Sequence, residues 1–270
     1  MIIGTRGSEL ALKQVSIFIN KFKLKDCAIK IIKTKGDITK KSLQKIGTAI
    51  FTKELDKALL NKKIDLAVHS LKDIPAEGFN PKLDIAAIVE RADPRDCVIG
   101  NIFNEAVVGT DSIRRQYELK NYYKNIKLNF KPIRGNIQTR IKKLDNKEYG
   151  AIVVAKAALD RLKIKKGSIF SIKQMVPAAG QGAIAVVKRK KDKFSFLKKD
   201  RLYDCCMLER EFIKDLGGCK KPVGAYCSCK NKKFNLVGLV YKGNRRILVD
   251  FSGNKEGMMN KIRRWKAKHI

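Results

Sequence analysis

The 270-residue sequence predicts an α/β protein built from two similar α/β domains and a small α+β domain. Three observations lead to this prediction. Short apolar runs alternate with amphipathic helical segments over the first two thirds of the chain, which is typical of parallel sheets covered by helices. The pattern starts twice, because GTRGS at 4–8 and GTDS at 109–112 each end a predicted strand and place a serine at a helix N-cap. After residue 200, one helix is followed by three consecutive strands.

The first domain is predicted to cover residues 1–90 and 182–200. Its strands are expected at 1–4, 27–34, 64–69 and 84–89, and its helices at 9–23 and 51–62. The first helix has an apolar face with helical spacing, formed by Leu10, Leu12, Val15, Phe18 and Phe22. The apolar run at 183–187 has no obvious partner nearby in the chain. We therefore expect the glycine-rich segment at 175–182 to return the chain to this domain.

The second domain is predicted over residues 93–177 and the third over residues 201–270. In the second, strands are expected at 106–110, 127–133 and 151–155, and helices at 113–123, 136–145 and 156–162. In the third, a helix to about residue 216 precedes strands near 223–229, 234–241 and 246–251 and a basic terminal helix. Two α/β domains of similar design would face each other across a cleft, with ligands at the carboxyl ends of the strands.

Charge is the strongest signal of the composition. The formal net charge is +34, which first suggests a polyanionic partner such as a nucleic acid. Lysine outnumbers arginine 45 to 15, however, and the lysines are spread over every segment. Scattered lysine is more often a solvated surface than a binding face. The arginines instead fall near predicted element ends or beside glycine, where a planar guanidinium can bind carboxylates.

The cysteines and the chain start indicate a cytoplasmic protein. Seven cysteines form an odd set, and the sequence opens without the basic and apolar stretches of a secretory signal. A disulfide framework is therefore not expected. Cys227 and Cys229 are spaced too tightly for a usual metal pair, and two histidines are too few to complete a site, so we expect no metal. The sequence also has no apolar stretch long enough to suggest a membrane span.

Two residues have the chemical character of a reactive site. Cys219 follows two glycines just past a predicted helix, and the adjacent lysines would favour its thiolate. Asp73 follows an apolar strand, where a carboxylate is well placed for proton chemistry. From local sequence alone, an ordinary free thiol and a turn-forming aspartate remain the commoner alternatives. His69 is expected to be hydrogen-bonded scaffolding that supports the Asp73 loop.

Eight motifs, taken together, resemble the porphobilinogen deaminase family, also called hydroxymethylbilane synthases. They occur in the order typical of the family over almost the whole chain: GTRGSELAL at 4–12, FTKEL at 51–55, DLAVHSLKDIP at 65–75, DPRD at 93–96, VGTDSIRRQ at 108–116, IRGNIQTR at 133–140, PAAGQG at 177–182 and GGCKKPVG at 217–224. The resemblance implies two periplasmic-binding-protein-like α/β domains around a cleft, a small third domain, and a monomer.

The resemblance also implies a reaction. Such enzymes join porphobilinogen units into the linear tetrapyrrole hydroxymethylbilane, with release of ammonia, for porphyrin and heme biosynthesis. By this resemblance Cys219 carries a dipyrromethane cofactor through a thioether, and Asp73 is the catalytic carboxylate. The implied cofactor-binding residues are Arg6, Ser8, Lys72, Ser112, Arg114, Arg115, Arg134 and Gly135. The implied substrate-binding residues are Arg6, Phe51, Arg134, Arg140 and Gln181, and Gln181 and Gly182 are also expected to act as hinge residues.

Each implied role has an ordinary alternative. Any one arginine alone is more often a surface ion pair or a helix-end charge, and Phe51 alone could be helix core. The chain also departs from the family pattern. The segment KIGTAIF at 45–51 is shorter and lacks a lysine that is common there, and Asp111 stands where a second serine is common. We expect these differences to affect turnover and loop closure but not the reaction class.

Two other functions compete with an enzyme. A nucleic-acid-binding protein is suggested by the charge alone, but the sequence shows no RNA-recognition, KH, zinc-finger or helix-turn-helix pattern. We therefore expect no specific nucleic-acid partner. A protein that captures a small anion by hinge closure would share the predicted architecture. Only the cysteine and the carboxylate separate that binder from an enzyme.

Overall fold

A computed structural model describes residues 1–38, 48–218 and 221–269. Strands β1 to β13 are, in chain order, Ile2–Thr5, Ala28–Ile31, Leu66–Ser70, Leu83–Arg91, Asp96–Gly100, Val107–Gly109, Asn129–Lys131, Ala151–Ala155, Ser168–Ile169, Ala183–Arg189, Gly224–Lys230, Lys233–Lys242 and Arg245–Gly253. Helices α1 to α8 are Glu9–Phe22, Lys35–Ile38, Lys53–Leu60, Ile113–Tyr122, Ile137–Asp145, Lys156–Arg161, Arg201–Ile213 and Lys255–His269. Single 3-10 turns occupy Thr48–Phe51 and Leu71–Asp73.

The first sheet has the strand order β2-β1-β3-β10-β4. Strand β1 pairs in parallel with β2 and β3, whereas β10 is antiparallel to both of its neighbours. Its side chains alternate between two apolar cores, as pleated strands require. Leu66 and Val68 pack with Phe18 of α1 on one face, and Ala67 packs with Leu55 of α3 on the other.

The second sheet repeats this plan, with the order β7-β6-β8-β5-β9. Here β6 is parallel to β7 and β8, and β5 is antiparallel to both of its neighbours. In each sheet the antiparallel strand is the one that enters directly after the chain has crossed from the other sheet. Residues 92–95 form the first crossing, before β5, and residues 175–182 form the second crossing, before β10.

The third sheet is an antiparallel meander of β11, β12 and β13. Helices α7 and α8 cover it, and Phe212 and Ile262 are among the fully buried residues of its core. The α/β architecture with a small α+β unit confirms the predicted fold class. None of the helices in the three described ranges is both long enough and apolar enough to cross a membrane.

Three buried carboxylates hold the second crossing. The backbone N–H of Val176 donates to Glu118 at 2.9 Å, and that of Gly180 donates to Glu209 at 2.7 Å. The side-chain amide of Gln181 donates to Asp96 at 2.9 Å. Asp96, Glu118 and Glu209 are all fully buried. Because α4 supplies Glu118, α7 supplies Glu209 and β5 supplies Asp96, the crossing is tied to three separate elements.

The predicted elements correspond to observed ones, with boundaries that differ by a few residues. The prediction that 183–187 rejoins the first sheet is confirmed, since β10 pairs with β3 and β4. Strand β5, the short β9 and the single turn of α2 were not predicted from the sequence. The expected strands at 27–34 and 127–133 were too long, because pairing is limited to Ala28–Ile31 and Asn129–Lys131.

Candidate active site

A cleft of about 640 Å³ opens between the first and second sheets. Every predicted site residue in the described ranges lines it: Arg6, Ser8, Phe51, Lys72, Asp73, Ser112, Arg114, Arg115, Arg134, Gly135, Arg140 and Gln181. Cys219 lies outside the described residues. Gly218 and Lys221, the described residues on either side of it, also line the cleft.

Three helices begin at the cleft. The hydroxyl of Ser8 caps α1 by accepting from Ala11 N–H at 3.3 Å, and that of Ser112 caps α4 by accepting from Arg115 N–H at 3.4 Å. The side chain of Asn136 caps α5 by accepting from Thr139 N–H at 2.8 Å. Helix N-termini attract anions because their first N–H groups have no partner within the helix. Carboxylate ligands are therefore favoured on both walls.

Asp73 ends the 3-10 turn that follows β3. Its side chain is 23% exposed, and Oδ2 lies 3.9 Å from a terminal nitrogen of Arg6. The turn is fixed beneath it, since Leu71 is fully buried and accepts from Ile74 N–H at 3.1 Å. A carboxylate that is accessible from the cleft and lies close to a cation can stabilise a positive centre on a ligand.

Phe51 lies between two guanidinium groups. The Arg6 guanidinium carbon is 4.3 Å from the ring centroid, and that of Arg134 is 5.9 Å away. Arg134 also donates to the backbone carbonyl of Gly36 at 3.5 Å. The arginines come from opposite walls, so the ring lies where the walls approach each other. A second contact between the walls is the 2.6 Å hydrogen bond from Gln138 to Glu9.

Lys72 points from the first wall to the second crossing. Its Nζ lies 3.3 Å from the amide oxygen of Gln181. Burial and the neighbouring guanidinium of Arg115, opposed by Asp73 and Asp96, together lower its pKa to about 8. Lys72 therefore loses its charge in a range where an ordinary lysine remains protonated.

Arg114 and Arg115 share one buried carboxylate. Arg114 donates to Asp96 Oδ2 at 2.7 Å and to the carbonyl of Val176 at 2.7 Å. Arg115 donates to Asp96 Oδ1 through Nε and a terminal nitrogen, at 3.1 and 2.7 Å. Burial alone would raise the pKa of Asp96, but the two guanidinium charges hold it well below its usual range. Asp96 was not predicted as a site residue, although it ends the DPRD motif.

Arg140 extends the cationic wall. Its Nε donates to the backbone carbonyl of Gly135 at 2.8 Å. Burial lowers its pKa to about 10, and Arg115 and Arg134 add to that shift, whereas Asp111 and Asp73 oppose it. Gly135 itself has φ +109°, and a Cβ there would approach Thr139 within 2.9 Å. A glycine is therefore required where the backbone turns into α5.

His69 differs from its expected role. It is 4% exposed and lines the cleft, but its Nε2 is buried without a hydrogen-bond partner among the described residues. The hydrogen bonding expected of a scaffold residue is therefore not seen at this nitrogen, and the support of the Asp73 loop stays a prediction. Burial, with a smaller contribution from Arg6, lowers its pKa to about 4. The ring is neutral at neutral pH.

The cleft has the character of a polycarboxylate site. Its cations outnumber its carboxylates, and they occupy both walls. Helix N-termini add further donors, while Phe51 and several alanines add apolar surface. The arrangement can bind an elongated anionic ligand with aromatic rings and present one carboxylate, Asp73, to its reacting end.

Comparisons with known proteins agree with this geometry. Residues 1–196 match the family model "Porphobilinogen deaminase, dipyromethane cofactor binding domain", and residues 203–261 match "Porphobilinogen deaminase, C-terminal domain". Porphobilinogen deaminase of Helicobacter acinonychis is 43% identical, over 97% of this chain and 90% of that protein. The enzymes of Ruminiclostridium josui and Neisseria meningitidis serogroup B are 41% and 40% identical, over 88% and 89% of this chain and 85% and 83% of theirs.

Among solved structures, a lipoprotein of Bacillus subtilis aligns over 72% of this chain and 85% of its own, with 15% identity and a TM-score of 0.43. That similarity adds nothing to the architecture described above. The two family models and the relatives, by contrast, span nearly the whole sequence. The chain belongs to the porphobilinogen deaminase family.

Proposed function

We propose that this cleft makes hydroxymethylbilane from porphobilinogen, adding pyrrole units one at a time to a dipyrromethane primer held by Cys219. The observation that carries the proposal is the convergence of Asp73 and a set of cations from both walls on one cavity. The family's cofactor is dipyrromethane, which bears several carboxylates. The cations and helix N-termini of this cleft fit such a group.

Asp73 is proposed to assist the departure of ammonia. With the amine protonated, the C–N bond of the aminomethyl group breaks, the nitrogen leaves with the electron pair as ammonia, and the pyrrole methylene carbon becomes cationic. The Asp73 carboxylate stabilises that cation and accepts hydrogen bonds from pyrrole N–H groups. When bound, the primer would supply a free α-carbon for the new bond, and Asp73 would take up the proton that this carbon loses.

The cations are proposed to hold the carboxylates of the growing chain. Arg114 and Arg115 are buried, and with Lys72 they would bind the primer and the carboxylates of each unit that joins it. Arg6, Ser8, Ser112, Arg134 and Gly135 would complete this site. Arg6, Arg134 and Arg140 would bind the acetate and propionate groups of the incoming substrate. Phe51 would stack on its ring, and Gln181 would contact it from the second crossing.

The proposal also covers the domain organisation, the oligomeric state and the cellular location of the protein. Residues 1–90 with 182–200, residues 93–177 and residues 201–270 would form three domains, since each range contributes the strands of its own sheet. We expect a monomer, as the resemblance to the family implies. A cytoplasmic location is supported by the six described cysteines, all of which are free thiols.

The test is the rate of hydroxymethylbilane formation and ammonia release by Asp73→Asn. Loss of the carboxylate should lower the rate at least ~100-fold, while the primer remains attached and visible in the intact mass. Asp111→Asn, which removes another carboxylate of the same cleft, should stay within about tenfold of wild type. A wild-type rate in Asp73→Asn would refute the assignment. Ligand binding without ammonia release by the wild type would favour a binding protein.

A further inference from the structure

Asp96 is a buried junction between the two crossings. It is fully buried, and its two oxygens accept hydrogen bonds from Arg114, Arg115 and Gln181. The arginines belong to α4 in the second wall of the cleft, whereas Gln181 belongs to the second crossing. Asp96 itself follows the first crossing directly. One carboxylate therefore contacts the cationic wall and both segments that join the domains.

Gln181 extends this junction to the first wall. Its amide nitrogen donates to Asp96 at 2.9 Å and to the carbonyl of Pro94 at 2.7 Å. Two acceptors on that side fix the orientation of the amide, so its oxygen faces Lys72 at 3.3 Å. Lys72 directly precedes Asp73. The chain of contacts thus runs from Asp96 through Gln181 to the lysine beside the catalytic carboxylate.

The arginine pair is oriented but not fully occupied. Arg114 uses one terminal nitrogen for Asp96 and the other for the carbonyl of Val176. Arg115 uses Nε and one terminal nitrogen for Asp96, and the other terminal nitrogen for the carbonyl of Val153. A guanidinium has five N–H groups, so each arginine keeps donors for a ligand.

We propose that Asp96 is a positioning residue for the carboxylate-binding cations: it orients Arg114 and Arg115 directly, and Lys72 through Gln181. The proposal rests on the proposed function, because it concerns the cations that would hold the primer and the growing chain. Asp96 itself does not line the cleft. Its effect is to pre-organise donors from both walls before a ligand enters, which lowers the cost of ordering them on binding.

Electrostatics gives this role a signature that a merely structural residue lacks. The charged groups that face Lys72 are Asp73 from its own turn, Asp96 from β5, and Arg114 and Arg115 from α4. The two carboxylates raise the pKa of Lys72 and the two guanidinium groups lower it. Replacing Asp96 by a neutral residue leaves the guanidinium groups opposed by Asp73 alone, so the pKa of Lys72 should fall.

The test is the pKa of Lys72 in the full-length chain, measured by competitive acetylation between pH 6 and 10 and mass spectrometry of the peptide that contains it. The variants are Asp96→Asn and the matched control Asp93→Asn. Asp93 lies on the same crossing but pairs with Arg95, and neither residue lines the cleft. Intact masses are recorded so that samples with equal primer content are compared. If a variant carries no primer, its reference is Cys219→Ala, which is expected to lack the primer as well.

In Asp96→Asn the Lys72 pKa should fall by about one unit, with none of this shift in Asp93→Asn. The KM for porphobilinogen should rise about tenfold with a smaller change in kcat. An unchanged Lys72 pKa in folded Asp96→Asn, or an equal fall in Asp93→Asn, would overturn the proposal. Acetylation needs no turnover, so this result is independent of whether the proposed reaction is correct.

A second variant keeps the proposal testable if Asp96→Asn does not fold. Gln181→Met removes the amide that links Asp96 to Lys72 and leaves all charges in place. The Lys72 pKa should fall by less than in Asp96→Asn, because an acceptor is lost but no charge is removed, and the KM should rise several-fold. A Lys72 pKa and a KM equal to those of wild type in Gln181→Met would overturn the proposal.

Discussion

The guanidinium of Arg91 forms a two-point ion pair with the carboxylate of Glu209. One contact joins a terminal nitrogen to Oε1, and the other terminal nitrogen donates to Oε2 at 3.2 Å. Arg91 ends β4 in the first sheet, and Glu209 lies on α7 against the third sheet. Glu209 also accepts the N–H groups of Gly180 and Cys227, each at 2.7 Å. One buried carboxylate thus connects the first sheet, the second crossing and the third sheet.

Glu209→Gln should therefore destabilise the protein. The substitution leaves the Arg91 charge buried without its partner, which typically costs about 3–5 kcal/mol. Asp250→Asn is the control, since it breaks the exposed pair of Asp250 with Lys173 and should cost no more than about 1 kcal/mol. Urea unfolding of both variants measures the difference. Equal losses would show that the buried pair is not a main stabilising contact.

Acid should destabilise the fold partly through His69. Its folded pKa of about 4 lies below the ordinary value of 6.5, so the unfolded chain binds the proton first as the pH falls. The stabilisation is complete above pH 6.5 and is lost progressively toward pH 4, by about 3 kcal/mol in total. His69→Gln should flatten the dependence of unfolding free energy on pH in this window.

The other histidine provides the control for that measurement. His269 is exposed at the end of α8, where its ring stacks on Trp265. His269→Gln should keep the wild-type slope between pH 4 and 6.5. If His69→Gln keeps that slope as well, another group causes the acid sensitivity.

The affinity for porphobilinogen should weaken in alkali because of Lys72. Its pKa of about 8 means that the ammonium is present below pH 8 and is lost above it. The KM should therefore rise between pH 7 and pH 9. Lys72→Arg keeps its charge over this range, so its KM should change less. Steady-state kinetics at the two pH values provides the measurement, and an equal rise in both proteins would assign the effect to another group.

Phe51 should be displaced by a methyl group at Gly36. A Cβ built on Gly36 overlaps the Phe51 ring, which lies between Arg6 and Arg134. Gly36→Ala should raise the KM for porphobilinogen several-fold, because the ring and both guanidinium groups must shift. In Gly150→Ala the new methyl meets its nearest atom at an ordinary 3.6 Å, so its KM should match that of wild type. A normal KM in Gly36→Ala would show that the ring position does not affect binding.

Elements with a clear hydrophobic periodicity were predicted from the sequence, whereas those defined by strand pairing were not. Helix α1 has a regular apolar face, and β8 is an apolar run, so both were found with nearly correct bounds. Strand β5 has five residues, starts with an aspartate and follows a proline by one residue, which is typical of a turn. Its strand character comes from pairing with β8 and β9, and local sequence does not encode that pairing.

The candidate site also contains residues that local motifs predict and residues that only tertiary packing defines. Motifs located the cleft residues, many of which follow a strand or lie in the first turn of a helix. Asp96 was missed because its partners, Arg114 and Arg115, lie 18 and 19 residues away in sequence. His69 was expected to be hydrogen-bonded on general grounds, but the position of its neighbours leaves Nε2 without a partner among the described residues. These are properties of tertiary packing, which no local pattern contains.

The intact mass of the purified, denatured protein tests the central claim most directly, since a thioether survives denaturation and a bound ligand does not. We predict an excess over the polypeptide equal to two porphobilinogen units less two ammonias, and its loss in Cys219→Ala. A bare polypeptide mass that stays unchanged after incubation with porphobilinogen would contradict the claim that this chain builds its product on a tethered primer.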